Sequence, residues 1–137
     1  MDLFNNEIVA YFLSSKKGAP LSYLIAEANL IEKKKYADLE MILHSDQGSV
    51  YCSKRFNESL YLYNITHSTS KPGTPTENGA MEAINGWMKE ELFIDFNINN
   101  SLDITKSIED YIYYFNYERP QSVLNYLTPM QYKERFN

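Results

Sequence analysis

The chain of 137 residues has a single cysteine, no excess of basic residues and no long apolar run. One thiol, Cys52, excludes an internal disulfide framework and fits a reducing compartment. No stretch approaches the roughly 18 apolar residues that a membrane-spanning helix needs. Residues 1–11 lack the basic start and apolar stretch of a signal peptide. The expectation is a cytoplasmic protein with no membrane partner. Lys and Arg number 13 against 18 Asp and Glu, a net charge of −5. That balance is unlike a dedicated nucleic-acid binder, whose surface is basic. An acidic domain acts on DNA where metal ions offset its carboxylates or another domain supplies the affinity. Internal repeats and low-complexity tracts are absent too.

What the chain does have is apolar and aromatic material. Hydrophobic residues make up 44%, with twelve tyrosines and seven phenylalanines, enough to build the core of one ordinary domain. Residues 7–13 (EIVAYFL), after the turn signal Asn5-Asn6, predict a strand. Residues 20–31 carry apolar side chains at helical spacing, followed by basic residues at 33–35. A short apolar strand is expected over 40–44 and a helix over 53–63 with Ser53 as its cap. A short strand expected over 65–67 leads into a Pro-, Gly- and Ser-rich loop over 68–76.

From residue 78 to about 91 the stripe Met81, Ile84, Met88 and Leu92 predicts another helix. A further one, over 103–117, places Ile104, Ile108, Tyr111, Ile112 and Phe115 on one face, and Pro120 follows its end. Pro129 suits the first position of a last short helix. Strands alternating with helices, then helices alone, indicate an α/β domain. They do not specify the chemistry.

Two carboxylates stand out by position. Asp46 lies at the exit of the strand over 40–44, the edge where ligands gather in α/β sheets. Glu82 lies in the first turns of a helix. Lys89, seven residues on, projects from about the same face. A carboxylate and a cation on one face suit a site holding a metal and a phosphate together. Oxygen donors suit a hard ion such as Mg²⁺, and two such ions flanking a phosphate activate an attacking oxygen and steady the leaving one. Each residue taken singly has a plainer reading. Asp46 is then a turn or a cap, Glu82 a helix-dipole partner and Lys89 a solvated charge. His44 is more simply a packed or hydrogen-bonded histidine than a ligand. The aromatics over 111–117 are more simply core than base-stacking platforms.

Taken together, the segments are more specific. His44-Ser45-Asp46-Gln47-Gly48 with Tyr51 resembles the H-S-D-x-G-x-x-Y motif of insertion-sequence transposases whose catalytic core is shared with retroviral integrases. Ser68-x-Ser70-x-x-Gly73 is similar to the loop that follows in that family. Glu77-Asn78-Gly79-x-x-Glu82 resembles D-N-x-x-x-E, with Glu77 in place of the aspartate. Tyr114-Phe115-Asn116-x-x-Arg119-Pro120-x-x-x-Leu124 and Leu127-Thr128-Pro129-x-x-Tyr132 resemble the family's tail. Asp2-Leu3-Phe4-Asn5 through Val9 resembles its early hairpin.

The resemblance implies a ribonuclease H-like fold, a mixed sheet flanked by helices. It also implies an enzyme whose three acids bind two Mg²⁺ or Mn²⁺ ions, cut a DNA strand with water and join the 3′ hydroxyl to a new site. Asp46 then matches the second acid and Glu82 the third, with Lys89 and Asn78 as DNA contacts. The family's first aspartate sits upstream of the hairpin that begins at Asp2, so the catalytic role is not carried to Asp2.

On this reading residues 1–137 form a partial integrase catalytic core, lacking the first strand and most of the second, and are inactive alone. Strands left without neighbours have unpaired backbone groups, each costing about 1–3 kcal/mol where buried against a domain margin of about 5–15 kcal/mol. Expected partners are transposon-end and target DNA, with a full-length transposase or self-association through open strand edges. Three alternatives stand beside it: a non-catalytic module that associates with or inhibits full-length transposase, one half of a split gene, and a related nuclease without strand transfer.

Overall fold

The computed structural model describes residues 1–11, 13, 40–70 and 79–136. In chain order the regular elements among them are β1 (Met41–Ser45), α1 (Lys54–Leu62), β2 (Ile65–Thr69), α2 (Gly79–Ile94), a 3-10 turn (Ile98–Asn100), α3 (Ile104–Tyr117), a second 3-10 turn (Ser122–Leu124) and α4 (Pro129–Phe136). The helix expected over 20–31, the basic residues at 33–35 and the loop residues from 71 to 76 lie outside the described residues. The chain divides into two compact units. One is Ala10–Ile84; the other combines Met1–Val9 with Asn85–Asn137.

In the unit Ala10–Ile84, β1 and β2 pair in parallel with Met41 opposite Ile65 and Ser45 opposite Thr69. Parallel neighbours need a crossover, and α1 lies within it. Ser53 starts that helix as expected: its Oγ accepts the Phe56 N–H at 3.3 Å. Phe56 and Leu60, one turn apart, bury their side chains with Ile65, and Met41, Leu43, Val50, Tyr51 and Tyr63 pack around them. Full burial of side chains such as Phe56 and Leu60 is worth about 1.5–3 kcal/mol each. Asn64 turns the chain from α1 into β2 at φ 55°, a left-handed position that asparagine tolerates. β2 reaches Thr69, two residues beyond the expected strand end at 67, and the Ser70 N–H extends the pairing to the Ser45 carbonyl at 3.1 Å.

The unit of Met1–Val9 and Asn85–Asn137 is built on α3. Asp103 caps it through the Lys106 N–H at 3.0 Å, and Tyr111, Ile112, Phe115 and Asn116 are buried along it. The Glu118 and Arg119 N–H groups both return to the Tyr114 carbonyl, and Pro120 follows. α4 begins with Pro129 as expected. Thr128 and Gln131 exchange side-chain bonds with each other's N–H groups at 3.2 and 3.0 Å, a reciprocal cap that satisfies two otherwise orphan donors.

The strand expected over 7–13 is not found: residues 7–11 and 13 form neither helix nor strand. The reason is visible at Ile8. Asn116 Oδ1 accepts the Ile8 N–H at 2.9 Å and Asn116 Nδ2 donates to the Ile8 carbonyl at 3.1 Å. One side-chain amide thus satisfies both backbone groups that a neighbouring strand would have used. Asn5, fully buried, donates to the Pro129 carbonyl, and Glu7 pairs with Lys133. Asp2 accepts the Phe4 N–H at 2.9 Å and so shapes the turn.

Candidate active site

β1 delivers Ser45 buried and Asp46 exposed at its exit. Asp46 Oδ1 accepts the Gly48 N–H at 2.8 Å, closing a tight turn on its own side chain. A Cβ at position 48 would stand 2.9 Å from that Oδ1 and 3.4 Å from the Tyr51 ring. A larger residue there would push on the Asp46 carboxylate, the flexible end of a side chain, rather than on the backbone. Tyr51 packs edge-on against Phe56, ring centroids 5.5 Å apart, and its carbonyl accepts from Asn57 Nδ2 at 2.9 Å. The spacing from Asp46 to Tyr51 thus ties the loop after β1 to the core beneath α1.

Under that loop lies a polar chain that sequence reasoning missed. His67, on β2, has Nε2 2.8 Å from Ser45 Oγ and Nδ1 2.7 Å from Asn57 Oδ1. Ser45 Oγ is also 2.8 Å from the Asp46 carbonyl oxygen. Burial, and after it the neighbouring His44, lowers the His67 pKa from the ordinary histidine value. His44, which the sequence suggested as a packed or hydrogen-bonded histidine, is exposed and bonds Ser68 Oγ at 3.0 Å. No periodicity signals His67; the only hint was the serine inside the H-S-D motif.

Glu82 lies in the first turn of α2 and is exposed, and it belongs to the same unit as Asp46. Lys89 is exposed further along α2, while Met81, Ile84, Met88 and Leu92 are the more buried residues of that helix, as the stripe predicted. Asn78 lies outside the described residues. Among the described residues no group of three or more His, Cys, Asp and Glu side chains is close enough to hold a metal ion. The donors at hand are carboxylate oxygens, the class that Mg²⁺ and Mn²⁺ prefer.

The tail motif has a structural role in the other unit. Glu91 accepts from Tyr111 Oη at 2.8 Å and from Arg119 Nε and Nη2 at 2.7 and 2.6 Å. The Arg119 guanidinium lies over Trp87 and Phe115, 5.7 and 5.6 Å from their ring centroids. Burial and the Glu91 carboxylate push the Tyr111 hydroxyl far above the usual tyrosine range.

Two family profiles, each described as Integrase core domain, match the chain over residues 1–75 and 63–129. An uncharacterized transposase-like protein of Haemophilus influenzae is 35% identical over 96% of this chain and 60% of its own length. The transposase for insertion sequence element IS904 of Lactococcus lactis is 31% identical over 100% of this chain and 53% of its own length. The chain thus spans about half the length of the curated relatives it matches. Among solved structures, a chain of the simian T-cell lymphotropic virus intasome in complex with PP2A regulatory subunit B56 gamma superposes with a TM-score of 0.72. It shares 23% identity, over 85% of this chain and 41% of that one. The catalytic core domain of BIV integrase gives 0.64 at 18% identity, over 84% and 72%. These likenesses show a ribonuclease H-like fold. Among the described residues, no helix is long and apolar enough to cross a membrane.

Proposed function

The chain belongs to the integrase core domain family, and on that footing we propose that it carries the second and third metal-binding acids of a DNA transposase core. Asp46 and Glu82 are those acids. The observation that carries this reading is the strand exit itself. Asp46 is exposed at the end of β1 with its Oδ1 held by the Gly48 N–H, and Glu82 is exposed at the start of α2 within the same compact unit.

Asp46 and Glu82 would hold Mg²⁺ or Mn²⁺, which when bound supplies Lewis-acid activation of an oxygen nucleophile at a DNA phosphate. The protein's part is to present the two carboxylates to that ion, with Asp46 Oδ1 held by the Gly48 N–H. Lys89 and Asn78 are the proposed contacts to DNA. A metal ion also answers the charge problem, since −5 overall repels a phosphate backbone unless cations intervene. Transposon-end and target DNA are the proposed substrates. A third donor completes such a site, and we propose that residues 1–137 alone do not join strands.

The test uses labelled DNA bearing the ends of the parent element, with Mg²⁺ or Mn²⁺. Residues 1–137 alone give no joined product. A longer polypeptide that supplies the first acid does, and Asp46→Asn or Glu82→Gln each abolish it. Joined product that survives either substitution contradicts the assignment.

A second reading is an interaction module that associates with, or inhibits, a full-length transposase. It is favoured by Ile42 on β1 and by Tyr61 and Leu62 on α1, exposed at 71%, 83% and 79%. Co-purification with full-length transposase checks it.

A further inference from the structure

We propose that the cleft between the end of α2 and the turn after α3 docks a basic segment of a partner polypeptide, an arginine or lysine flanked by apolar residues. The proposal goes beyond the metal reading and does not depend on it.

The cleft lies wholly within the unit built on α3 and encloses about 480 Å³. Trp87 and Ile94 of α2 line one part of it, Val123 and Tyr126 of the turn another. All four are exposed. Large apolar side chains gathered in water around a cleft mark an interaction site. Tyr126 is the most telling of them. It is 76% exposed and stands at φ 61°, directly after Asn125 at φ 56°. Asparagine tolerates that left-handed region, whereas a bulky residue there is an outlier. The Gln121 carbonyl accepts the Tyr126 N–H at 2.9 Å, and the Gln121 N–H donates to the Leu127 carbonyl at 3.1 Å. The turn is thus held in a costly conformation that gives the tyrosine ring to solvent rather than to the core.

Charge decides what the cleft takes. Three carboxylates line it, those of Glu90, Glu91 and Asp95, against one cation, Arg119. Arg119 is committed to Glu91 through Nε at 2.7 Å and Nη2 at 2.6 Å. Glu90 and Asp95 form no ion pair among the described residues. Two unpaired carboxylates beside two exposed aromatic rings suit a cation, which gains from both. Arg119 already places a guanidinium 5.7 Å from the centroid of the Trp87 ring. A nucleic-acid backbone is repelled here. A purely apolar segment would bury the two carboxylates without partners. Four exposed apolar side chains are more than a bare amine covers, so the occupant is a peptide. Gln121 adds an independent sign. It lines the cleft, is 3% exposed, and its Nε2 has no hydrogen-bond partner, while its Oε1 accepts from Asn6 Nδ2 at 3.0 Å. Buried donors without partners are uncommon, and a peptide carbonyl is the kind of acceptor this one lacks.

The experiment titrates the whole chain with a panel of short tryptophan-free peptides, each with a central Arg or Lys between Leu, Val or Phe. Trp87 is the chain's one tryptophan, so its fluorescence reads binding. ¹⁵N shifts of its indole and of amides 121–127 locate the site. The expected result is saturable binding that moves those signals. Affinity falls about tenfold when Gln replaces the peptide's cation, and about tenfold in Glu90→Gln with Asp95→Asn. Both side chains are exposed, so the melting temperature stays at the parent's value. Glu90→Lys with Asp95→Lys loses the basic peptide and gains the matched peptide with a central Glu, a reversal that a damaged fold does not produce.

The comparison of Arg and Gln peptides on the parent chain needs no variant and holds if a substituted chain fails to fold. The proposal is overturned if no peptide of the panel moves Trp87 and amides 121–127, or if the Gln peptide binds as well as the Arg one. Parental affinity in the neutral double variant overturns it too. So does a DNA oligonucleotide that moves those signals where the peptides do not.

Discussion

At Asp46 the backbone does most of the placing. Gly48 N–H holds Oδ1 at 2.8 Å, and a methyl group at position 48 would meet that oxygen at 2.9 Å. Gly48→Ala therefore displaces the carboxylate and weakens its bond to the N–H at position 48. The expected cost is about 1 kcal/mol, the worth of one hydrogen bond, together with weaker Mn²⁺ binding, measured by urea denaturation and metal titration. His67 makes a separate prediction about pH. Burial and His44 lower its folded pKa below the unfolded value of about 6.5, so the unfolded chain binds more protons as pH falls. Its contribution is then fully present above the unfolded value and is lost as pH falls from there through the lowered folded value. Thermal melts at pH 7.5 and 5.5 should show a steeper loss in the parent than in His67→Gln; equal slopes would contradict the shift.

Among the elements, the helices announced themselves through their apolar stripes and, at Ser53 and Pro129, through the residues at their starts. Ser53, Asp103 and Thr128 sit where a cap must sit, and each accepts the N–H that the helix start leaves over. The segment over 7–13 misled for a physical reason: β-branched and aromatic content reports that a chain will be extended and half-buried, not what its backbone will bond. Here the partner is a side chain 108 residues away. Asn116→Ala strands the Ile8 N–H and carbonyl and should cost about 2–6 kcal/mol, from about 1–3 kcal/mol per unpartnered group. Asn116→Asp keeps the acceptor, loses the donor and should fall between. Denaturant midpoints and exchange of the Ile8 amide read both. Glu91 is a similar junction between α2 and α3. Glu91→Ala leaves Arg119 and Tyr111 without their shared acceptor and should cost about 3–5 kcal/mol, seen as a large drop in the denaturation midpoint.

For the whole molecule, the α/β pattern was legible from alternating apolar runs, but the chemistry was not. Asp46 and Glu82 alone are a turn residue and a helix-dipole partner; spaced motifs turned them into candidates, and the family profiles and fold likeness place the chain among integrase cores. The polar chain through His67 was invisible because histidine, serine and asparagine in unremarkable positions carry no periodic signal. What the account claims of the molecule is that one divalent ion is shared by Asp46 and Glu82. The most direct measurement titrates Mn²⁺ into ¹⁵N-labelled chain and follows paramagnetic broadening of its amides. The account predicts that amides flanking both acids broaden at the same low Mn²⁺ ratio, and that Asp46→Asn removes the effect at both places. Broadening around one acid alone, or broadening at both that survives Asp46→Asn, would contradict it.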